Sequence, residues 1–287
     1  MTDDLQLIKL AIAEDLGDGD HTSAACIPAS ARGKMKLLVK QEGVLAGVEV
    51  AGRVFHAIDP AIAMTAVIPD GRAVKAGDVA FYVKGAVRSL LQAERIVLNI
   101  MQRMSGVATQ TAEYVKKLDG LKTRVLDTRK TTPGMRMLDK LAVKTGGGEN
   151  HRIGLFDRIL IKDNHIDFSG GIENALHNVQ DYLRRTRREM PVEIEVRSLR
   201  DIHTVLRVGG VQRIMLDNFS LADTRKAVEL IAGKYETESS GGITLQTIRD
   251  YAECGVDFVS VGALTHQIKS LDMSLKACEK DEEGTGE

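Results

Sequence analysis

Basic side chains are concentrated in one part of an otherwise neutral chain. Between Arg124 and His165 there are nine Lys and Arg against five Asp and Glu, although the 287 residues carry a formal net charge of −1. A charge run is usually a solvated face, but these side chains stand at predicted strand ends or in a glycine-rich loop: Arg129, Lys130, His151, Arg152, Lys162 and His165. Because arginine binds carboxylates and phosphates in bidentate geometry, the cluster predicts a site for a ligand with several negative groups.

Three acidic residues are candidates for a second part of the site. Glu193 and Glu195 lie two residues apart on one predicted strand, so their side chains point to the same face. Asp217 ends the next predicted strand. These acids could form salt bridges with the basic cluster, or they could bind sugar hydroxyls or hold Mg²⁺ beside a pyrophosphate. The residues themselves leave both interpretations open.

Two glycine-containing junctions follow strands near the end of the chain. Ser240, Gly241 and Gly242 lead from one predicted strand into a helix, and Gly262 does so after the next. Either junction alone could be an ordinary turn, but two in succession are typical of a barrel phosphate site. Whether Ser239 or Ser240 contacts the phosphate stays open. The sequence has neither a P-loop nor a G-x-G-x-x-G fingerprint.

Short apolar runs alternate with helical stretches after Gly120 and would position these groups. Strands are predicted over 124–128, 158–163, 192–196, 213–218, 235–239 and 257–262, and helices over 133–143, 171–188, 199–208, 221–233 and 244–253. Connections of this length indicate parallel strands. Periodicity alone fits a barrel or an open doubly wound sheet. Polar residues after nearly every strand favour the barrel, because an open sheet would collect them at one switch point.

The residues before Gly120 form a different, mixed α/β unit in this prediction. Helices are predicted over 4–16, 47–58 and 88–118, and strands over 34–40 and 79–87. Ser105-Gly106 is expected to interrupt or bend the last helix. We therefore divide the chain into a first domain over 1–119 and a barrel domain over 120–269.

Composition excludes several classes of protein. Aromatic residues make up 4% of the chain and Trp is absent, so with a near-zero net charge we expect no nucleic-acid partner. No apolar run is long enough for a membrane span. The three cysteines form no C-x-x-C pair, which disfavours a disulfide framework or thiolate metal site. The first residues do not resemble a signal peptide, and we expect a cytoplasmic protein.

The run VLDTRKTTPGMRMLDKLAVKTGGGENHRIGLFDRILIKDNHI (125–166) resembles the central signature of the quinolinate phosphoribosyltransferases, also called carboxylating nicotinate-nucleotide pyrophosphorylases. The resemblance continues in the family's order through EDLGDGDHTS, ERIVLNIMQRMSGVAT, VEIEV, IMLDNFS, ESSGGIT, VSVGALTH and LDMSL. It implies an α/β protein of the type II phosphoribosyltransferase fold. An N-terminal α/β-sandwich domain would precede an incomplete (β/α) barrel, and the chain end, about 270–287, would return to the first domain.

The resemblance also implies an activity, that of a pentosyltransferase in de novo NAD biosynthesis. Such enzymes convert quinolinate and phosphoribosyl pyrophosphate, with Mg²⁺, to nicotinate mononucleotide, pyrophosphate and carbon dioxide. They work as homodimers or assemblies of dimers with shared active sites. The chain end would then form part of the first domain, and the motifs of the central region would bind these two anionic substrates.

By position, the resemblance assigns each site residue a role. Quinolinate would be bound by Arg129, His151, Arg152, Lys162 and an Arg95 donated by the neighbouring subunit. Phosphoribosyl pyrophosphate would be bound by Lys130, Glu195, Asp217, Ser240, Gly241, Gly242, Gly262 and His266. Lys130, Glu195 and Asp217 would be the catalytic residues. The two acids would also hold Mg²⁺, directly or through water or pyrophosphate.

Three other functions compete with this one. Two are enzymes of the same fold: nicotinate phosphoribosyltransferase, which does not decarboxylate, and a homologue associated with molybdenum transport. The third is a non-catalytic phosphosugar-binding protein. The number of cations favours quinolinate, since its second carboxylate needs additional positive charge. Acids beside the expected phosphate cradle disfavour a simple binding protein, because binding alone would not require them.

Overall fold

A computed structural model describes residues 4–278, so residues 279–287 of the predicted return segment lie outside the described range. The chain divides into two compact units. The first takes in the described residues up to Ala112, residues 131–147, and those from Gln267 onward, and the second takes in 113–130 and 148–266. This grouping differs from the predicted division at Gly120, since residues 131–147 belong to the first unit rather than to the barrel domain.

The helices and strands alternate along most of the chain. The first part contains α1 (Asp4–Leu16), α2 (His21–Cys26), β1 (Arg32–Val39), β2 (Gly43–Val44), α3 (Val48–Ile58), β3 (Ala63–Ala66), β4 (Ala73–Val74), β5 (Val79–Ala86) and α4 (Val87–Lys117). The rest contains β6 (Arg124–Leu126), α5 (Arg136–Thr145), β7 (Ile159–Ile161), α6 (Asp163–Phe168), α7 (Ile172–Thr186), β8 (Val192–Val196), α8 (Leu199–Val208), β9 (Arg213–Asp217), α9 (Leu221–Ile231), β10 (Glu236–Ser240), α10 (Ile248–Ala252), β11 (Phe258–Ser260), α11 (Ala263–His266) and β12 (Met273–Ala277). No helix within residues 4–278 is both long and apolar enough to cross a bilayer.

An antiparallel sheet forms the centre of the first unit, with its strands in the order β12-β1-β5-β3. Burial alternates along β1, where Met35, Leu37 and Val39 are buried, as expected for a strand with one face against a core. Phe81 on β5 makes an edge-to-face contact with Phe55 of α3, with ring centroids 6.0 Å apart. The chain end pairs with β1 through β12 and so adds the outermost strand of this sheet.

Small residues allow two segments of the first unit to approach each other closely. Ser105 and Gly106 lie inside α4, which is a single uninterrupted helix, so the predicted interruption was wrong. The Ser105 hydroxyl donates to the carbonyl of Ala46 at 3.1 Å and accepts its N–H at 2.9 Å. A Cβ on Gly106 would collide with the carbonyl oxygen of Lys269. The pair is therefore explained by packing and hydrogen bonding rather than by a break in the helix.

Six parallel strands form the sheet of the second unit, in the order β6-β11-β10-β9-β8-β7. Sequence neighbours from β7 to β11 are adjacent, and β6 joins at the β11 side, so this is the strand order of a barrel left open between β6 and β7. All six predicted strands are present. The prediction of an α/β protein with an incomplete barrel is confirmed.

The strands of this sheet have two distinct faces. All five residues of β8 are buried; Val192, Ile194 and Val196 share one face, while the two glutamates between them share the other. Parallel strands buried on both sides are normally apolar throughout, so charges on one face indicate an interior with polar content. Helices follow the strands, and serine side chains cap α8 and α9 at Ser198 and Ser220.

We expect Gly106→Ala to lower the free energy of unfolding by roughly 1–3 kcal/mol, because the added methyl group would have to displace the Lys269 backbone. Gly52 is the matched control. It also lies inside a helix, but its Cβ would meet only the Met64 sulfur at an ordinary 3.7 Å. Gly52→Ala should raise stability by up to about 1 kcal/mol, since alanine favours helix more than glycine. Urea unfolding of both variants tests this, and equal shifts would contradict the packing argument.

Candidate active site

Polar groups on neighbouring strands of the second unit meet at the carboxyl end of the sheet. Glu195 on β8 is buried, and Asp217 and Ser240 are half-buried at the ends of β9 and β10. Asp217 and Ser240 are direct register partners. Ser240 shares its strand face with Glu238, whereas Ser239 points to the opposite face. This alternation favours Ser240 over Ser239 as the residue that faces the site.

A lysine is paired with the buried acid at this edge. Lys162 Nζ lies 3.2 Å from Glu195 Oε2. Burial raises the pKa of Glu195 above its ordinary value, and the nearby charge of Asp217 adds to this, although Lys162 acts in the opposite direction. His165 does not reach the pair; its Nδ1 accepts the backbone N–H of Lys162 at 2.9 Å and closes the first turn of α6. The two acids therefore form a negative pocket with one long cationic side chain beside it.

The two glycine junctions lie on adjacent strands, β10 and β11. Gly241 and Gly242 have φ angles of +97° and +61°, and a Cβ on Gly241 would collide with the Asn218 amide. Asn218 in turn donates to Asp217 Oδ2 at 2.9 Å, which fixes that carboxylate. A Cβ on Gly242 would meet open space, so its backbone is approachable by a ligand. The helix predicted from Thr244 begins only at Ile248, so a turn, rather than a helix end, follows these glycines.

The second junction brings further basic groups together. A Cβ on Gly262 would lie 3.0 Å from Lys130 Cδ and 3.2 Å from His266 Nε2. The Thr265 hydroxyl donates to the Lys130 carbonyl at 2.8 Å and fixes the backbone there. The side chains of Lys130 and His266 are exposed. The arrangement leaves two basic side chains and a glycine backbone beside the first junction, which suits a phosphate group.

Two aspartates hold the basic loop between α5 and β7. Asp127 is fully buried and accepts the backbone N–H of His151 at 2.8 Å and the Asn150 amide at 2.6 Å. Asp157 accepts the backbone N–H groups of Ile153 and Gly154 at 2.7 and 2.8 Å. The loop that carries His151 and its neighbour Arg152 is thus fixed by its own chain.

Arg152 has the environment of a residue that binds an anion. The side chain is 8% exposed, and its Nη1 donates to the Arg158 carbonyl at 3.4 Å. Burial lowers the pKa of Arg152, and the positive charge of Arg129 lowers it further, although Glu193 and Asp157 act in the opposite direction. A buried guanidinium with a second, half-buried one near it indicates that a negative ligand completes the site.

Beside this loop lies a buried ion network on the polar face of the sheet. His151 Nε2 is 3.1 Å from Glu193 and 3.5 Å from Glu238, and both carboxylates are fully buried. Arg158 contacts Glu193 at 3.3 Å, and Arg213 contacts Glu238 at 2.9 Å. Two arginines therefore face two acids. The salt-bridge interpretation holds for Glu193 in this network and also for Glu195, which pairs with Lys162.

The two buried acids of this network do not share the same ionisation. Burial raises the pKa of Glu238 to about 7, and the charge of Glu193 contributes to this. Burial also acts to raise the pKa of Glu193, but a hydrogen bond from His151 and the charges of Arg213 and Arg158 outweigh it and lower that pKa. Glu193 is thus the carboxylate of the pair, and Glu238 takes up the proton near neutral pH.

His151, Glu193 and Glu238 also offer ligand atoms within 4.8 Å of one another, a spacing that a metal ion could occupy. Both carboxylates already face a guanidinium, however, and a further cation would have to displace these ion pairs. The geometry favours a structural ion network here.

Two family profiles match almost the whole chain. The profile described as Quinolinate phosphoribosyl transferase, N-terminal domain, matches residues 20–105, and the corresponding C-terminal domain profile matches residues 107–276. The chain belongs to the quinolinate phosphoribosyltransferase family. The resemblance inferred from the motifs is confirmed.

Individual relatives of this quinolinate phosphoribosyltransferase family member agree. The chain is 43% identical to quinolinate phosphoribosyltransferase [decarboxylating] 1b of Nicotiana tabacum over 94% of this chain and 81% of that protein. It is 38% identical to the probable nicotinate-nucleotide pyrophosphorylase [carboxylating] of Bacillus subtilis, over 94% and 93%. The crystal structure of NadC from Streptococcus pyogenes superposes with a TM-score of 0.89 at 40% identity, covering 95% of this chain and 96% of that one.

The second unit contains every predicted site residue of the family except Arg95. Arg95 lies in the part of α4 that belongs to the first unit, and its side chain is exposed. Within residues 4–278, the side chain of this arginine makes no hydrogen bond or ion pair. Its predicted role in a neighbouring subunit stays a prediction.

Several residues that shape the site were missed by the sequence analysis: Asp127, Asp157, Arg158, Arg213 and Glu238. A signal for part of this set was present. Glu238 precedes Ser240 by two residues, and Glu193 precedes Glu195 by two, so each shares a strand face with a predicted site residue. Charges on that face of a buried parallel strand point to an ion network. Asp127 and Asp157 act through loop geometry that no sequence period reveals.

We expect Glu238→Gln to change how stability depends on pH. Wild-type Glu238 has a raised folded-state pKa of about 7, so its stabilising contribution is complete below its unfolded-state pKa and is lost as pH rises to about 7. Glutamine cannot ionise. The stability of the variant relative to wild type should therefore improve between pH 5 and 8, by on the order of 1–3 kcal/mol. Urea unfolding at four pH values measures this, and a constant gap would show that Glu238 does not titrate here.

Proposed function

We propose that this enzyme transfers the phosphoribosyl group of phosphoribosyl pyrophosphate to quinolinate and releases pyrophosphate and carbon dioxide, forming nicotinate mononucleotide. The observation that carries the proposal is the arrangement at one end of the barrel. Buried Arg152 beside Arg129 suits a dicarboxylate, and Glu195 with Asp217 lies next to two glycine junctions that suit a phosphosugar. Membership of the family supports the same reaction.

The basic loop and its surroundings would bind quinolinate. Arg129, Arg152 and Lys162 supply positive charge for its two carboxylates, and His151 belongs to the same site. Lys162 would exchange its contact with Glu195 for one with the substrate, since its side chain is long and about half exposed. Cations in this number are needed to bring two like-charged substrates together.

The glycine junctions would bind phosphoribosyl pyrophosphate. Its 5′-phosphate would lie at the backbone of Ser240, Gly241, Gly242 and Gly262 with His266 beside it, and Lys130 would contact the pyrophosphate. Glu195 and Asp217 would bind the ribose and stabilise the positive charge that builds at its anomeric carbon as pyrophosphate leaves. Mg²⁺, held near these two acids, would supply charge neutralisation on the pyrophosphate.

Carbon dioxide would be lost after the transfer. Bonding of the ring nitrogen to ribose leaves the pyridine ring cationic, so the adjacent ring carbon can keep the electron pair of its bond to the departing carboxylate as carbon dioxide leaves. That carbon then takes up a proton from solvent and gives nicotinate mononucleotide. No side chain is required as a covalent nucleophile. The protein would orient two anions and stabilise charge, which agrees with a site made of arginine, lysine, acids and backbone N–H groups.

We further propose a homodimer, or an assembly of dimers, in which Arg95 of one subunit completes the quinolinate site of its neighbour. A cation in the N-terminal part of α4 gains nothing from the helix dipole, and Arg95 is exposed there while Ile96, Val97 and Leu98 are buried.

We also propose a cytoplasmic location and no nucleic-acid partner. The cysteines form no disulfide among the described residues, as expected in a reducing compartment.

We expect carbon dioxide and nucleotide to form together when the protein receives phosphoribosyl pyrophosphate, Mg²⁺ and quinolinate. Nicotinate lacks one carboxylate and would leave a buried guanidinium without its ligand, so its kcat/KM should be lower by about 100-fold or more. Parallel assays of both pyridines, following nucleotide and carbon dioxide, test this. Equal use of nicotinate would assign the chain to the non-decarboxylating rival, and binding without turnover would indicate the phosphosugar-binding alternative.

We expect an inactive Arg95→Ala protein and an inactive Lys162→Ala protein to restore activity when mixed. If each site takes Arg95 from one subunit and Lys162 from the other, a mixed dimer has one intact site. Random exchange should then recover about a quarter of the wild-type sites. Mass spectrometry of the intact complex establishes that subunits exchange. A mixture that exchanges and stays inactive would return Arg95 to an ordinary surface role.

A further inference from the structure

Both ring nitrogens of His151 are used inside the second unit. Nδ1 accepts the backbone N–H of Arg152 at 2.7 Å, so Nδ1 carries no proton. Nε2 lies 3.1 Å from the Glu193 carboxylate, to which it donates. These two contacts place a ring proton on Nε2. The side chain is only 6% exposed, so the ring is enclosed rather than presented to a ligand.

The bond at Nδ1 acts on the residue that carries the buried positive charge. It fixes the peptide N–H of Arg152, while Asp127 fixes that of His151. Beyond them, Asp157 holds the next two N–H groups. Four successive backbone groups are thus fixed before any ligand arrives, and the guanidinium of Arg152 starts from a defined main chain.

Glu193 determines which way the His151 ring faces. Its carboxylate accepts from Nε2, and it is held in place by Arg158 at 3.3 Å. Glu238 lies on the other side of the same ring proton at 3.5 Å and is fixed by Arg213. Arg213 in turn stacks 3.8 Å from the ring centroid of Phe258. A rotated imidazole would remove one of the donors of the buried Glu193 carboxylate, which would keep only its contact with Arg158.

We propose that Glu193 is a positioning residue for quinolinate: it holds His151 so that Nδ1 presets the main chain of Arg152, and His151 acts on the substrate through Arg152 rather than by contact. This role rests on the proposed function. It assigns a task to a buried acid that the reaction itself does not use. It also separates Glu193 from Glu195, which lies two residues along the same strand and faces the sugar.

Glu193→Gln tests the role, with Glu236→Gln as the matched control. Glutamine keeps the shape of Glu193 and removes the charge that orients His151. The dissociation constant for quinolinate, measured by calorimetry, should rise by about tenfold, while that for phosphoribosyl pyrophosphate with Mg²⁺ should change by less than about threefold. Glu236 also pairs with Arg213, at 2.9 Å, but its side chain is about half exposed and it does not contact His151. Glu236→Gln should leave both constants within about twofold.

Substitutions of His151 itself keep the proposal testable if Glu193→Gln fails to fold. Asparagine places an acceptor near the position of Nδ1, whereas glutamine places its amide near the position of Nε2. If His151 works through Arg152, the dissociation constant for quinolinate should rise less in His151→Asn than in His151→Gln, which should lose about tenfold. The opposite ranking would mean that Nε2 contacts the substrate and would overturn the proposal.

Two further outcomes would also contradict it. Equal weakening of both substrates by Glu193→Gln would show a general structural role, and equal effects of Glu193→Gln and Glu236→Gln would show that only the charge around Arg213 matters. The proposed function fails in a different way. A wild-type protein that binds no quinolinate would overturn both ideas, whereas wild-type binding that the variants reproduce would overturn the positioning role alone.

Discussion

Charged side chains inside a parallel sheet must neutralise one another, and the second unit is organised around this requirement. Glu193 and Glu238 are fully buried, and Arg158 and Arg213 lie against them. A carboxylate out of water without such partners would be strongly destabilising. Because His151 contacts both acids, the network also helps to determine the conformation of the loop between α5 and β7. The need to balance charge in the interior therefore also affects the position of the residues that we assign to substrate binding.

The carboxyl end of the parallel strands has a different electrostatic character from this network. There the cations exceed the acids available to them, and Arg152 is buried near Arg129. Burial raises the pKa of Glu195, and the charge of Asp217 on the neighbouring strand adds to this, with Lys162 alongside. Unbalanced charge of both signs within one site suits a reaction that joins two anions and passes through a cationic sugar. The buried ion network, in which charges are balanced, stabilises the fold. The charged groups at the carboxyl end of the strands are not balanced in this way and are available for ligands.

Backbone geometry contributes as much as charge. At Gly241 the positive φ and the neighbouring Asn218 amide together exclude a side chain, and this same amide holds Asp217. The phosphate junction and the acid that we assign to catalysis are therefore linked through one asparagine. In the first unit, Gly106 has no strained φ, yet the Lys269 backbone lies where its Cβ would be. The backbone conformation calls for glycine at Gly241, and close packing calls for glycine at Gly106.

The sequence by itself determined the order of the six parallel strands and of five helices between them, the family, and the acids and bases that end the parallel strands, because these depend on local periodicity and on motifs that are contiguous in the chain. It missed several short elements, α2, α6 and β3 among them. Periodicity alone left open the barrel against the open sheet, the polar strand ends and the resemblance favoured the barrel, and the choice between Ser239 and Ser240 stayed open. Tertiary structure confirmed the barrel through its strand order, and the strand face that Ser240 shares with Glu238 favours Ser240. It alone showed that His151 faces buried acids. That contact joins residues 42 positions apart, and such pairings depend on how strands lie side by side, which no local pattern encodes.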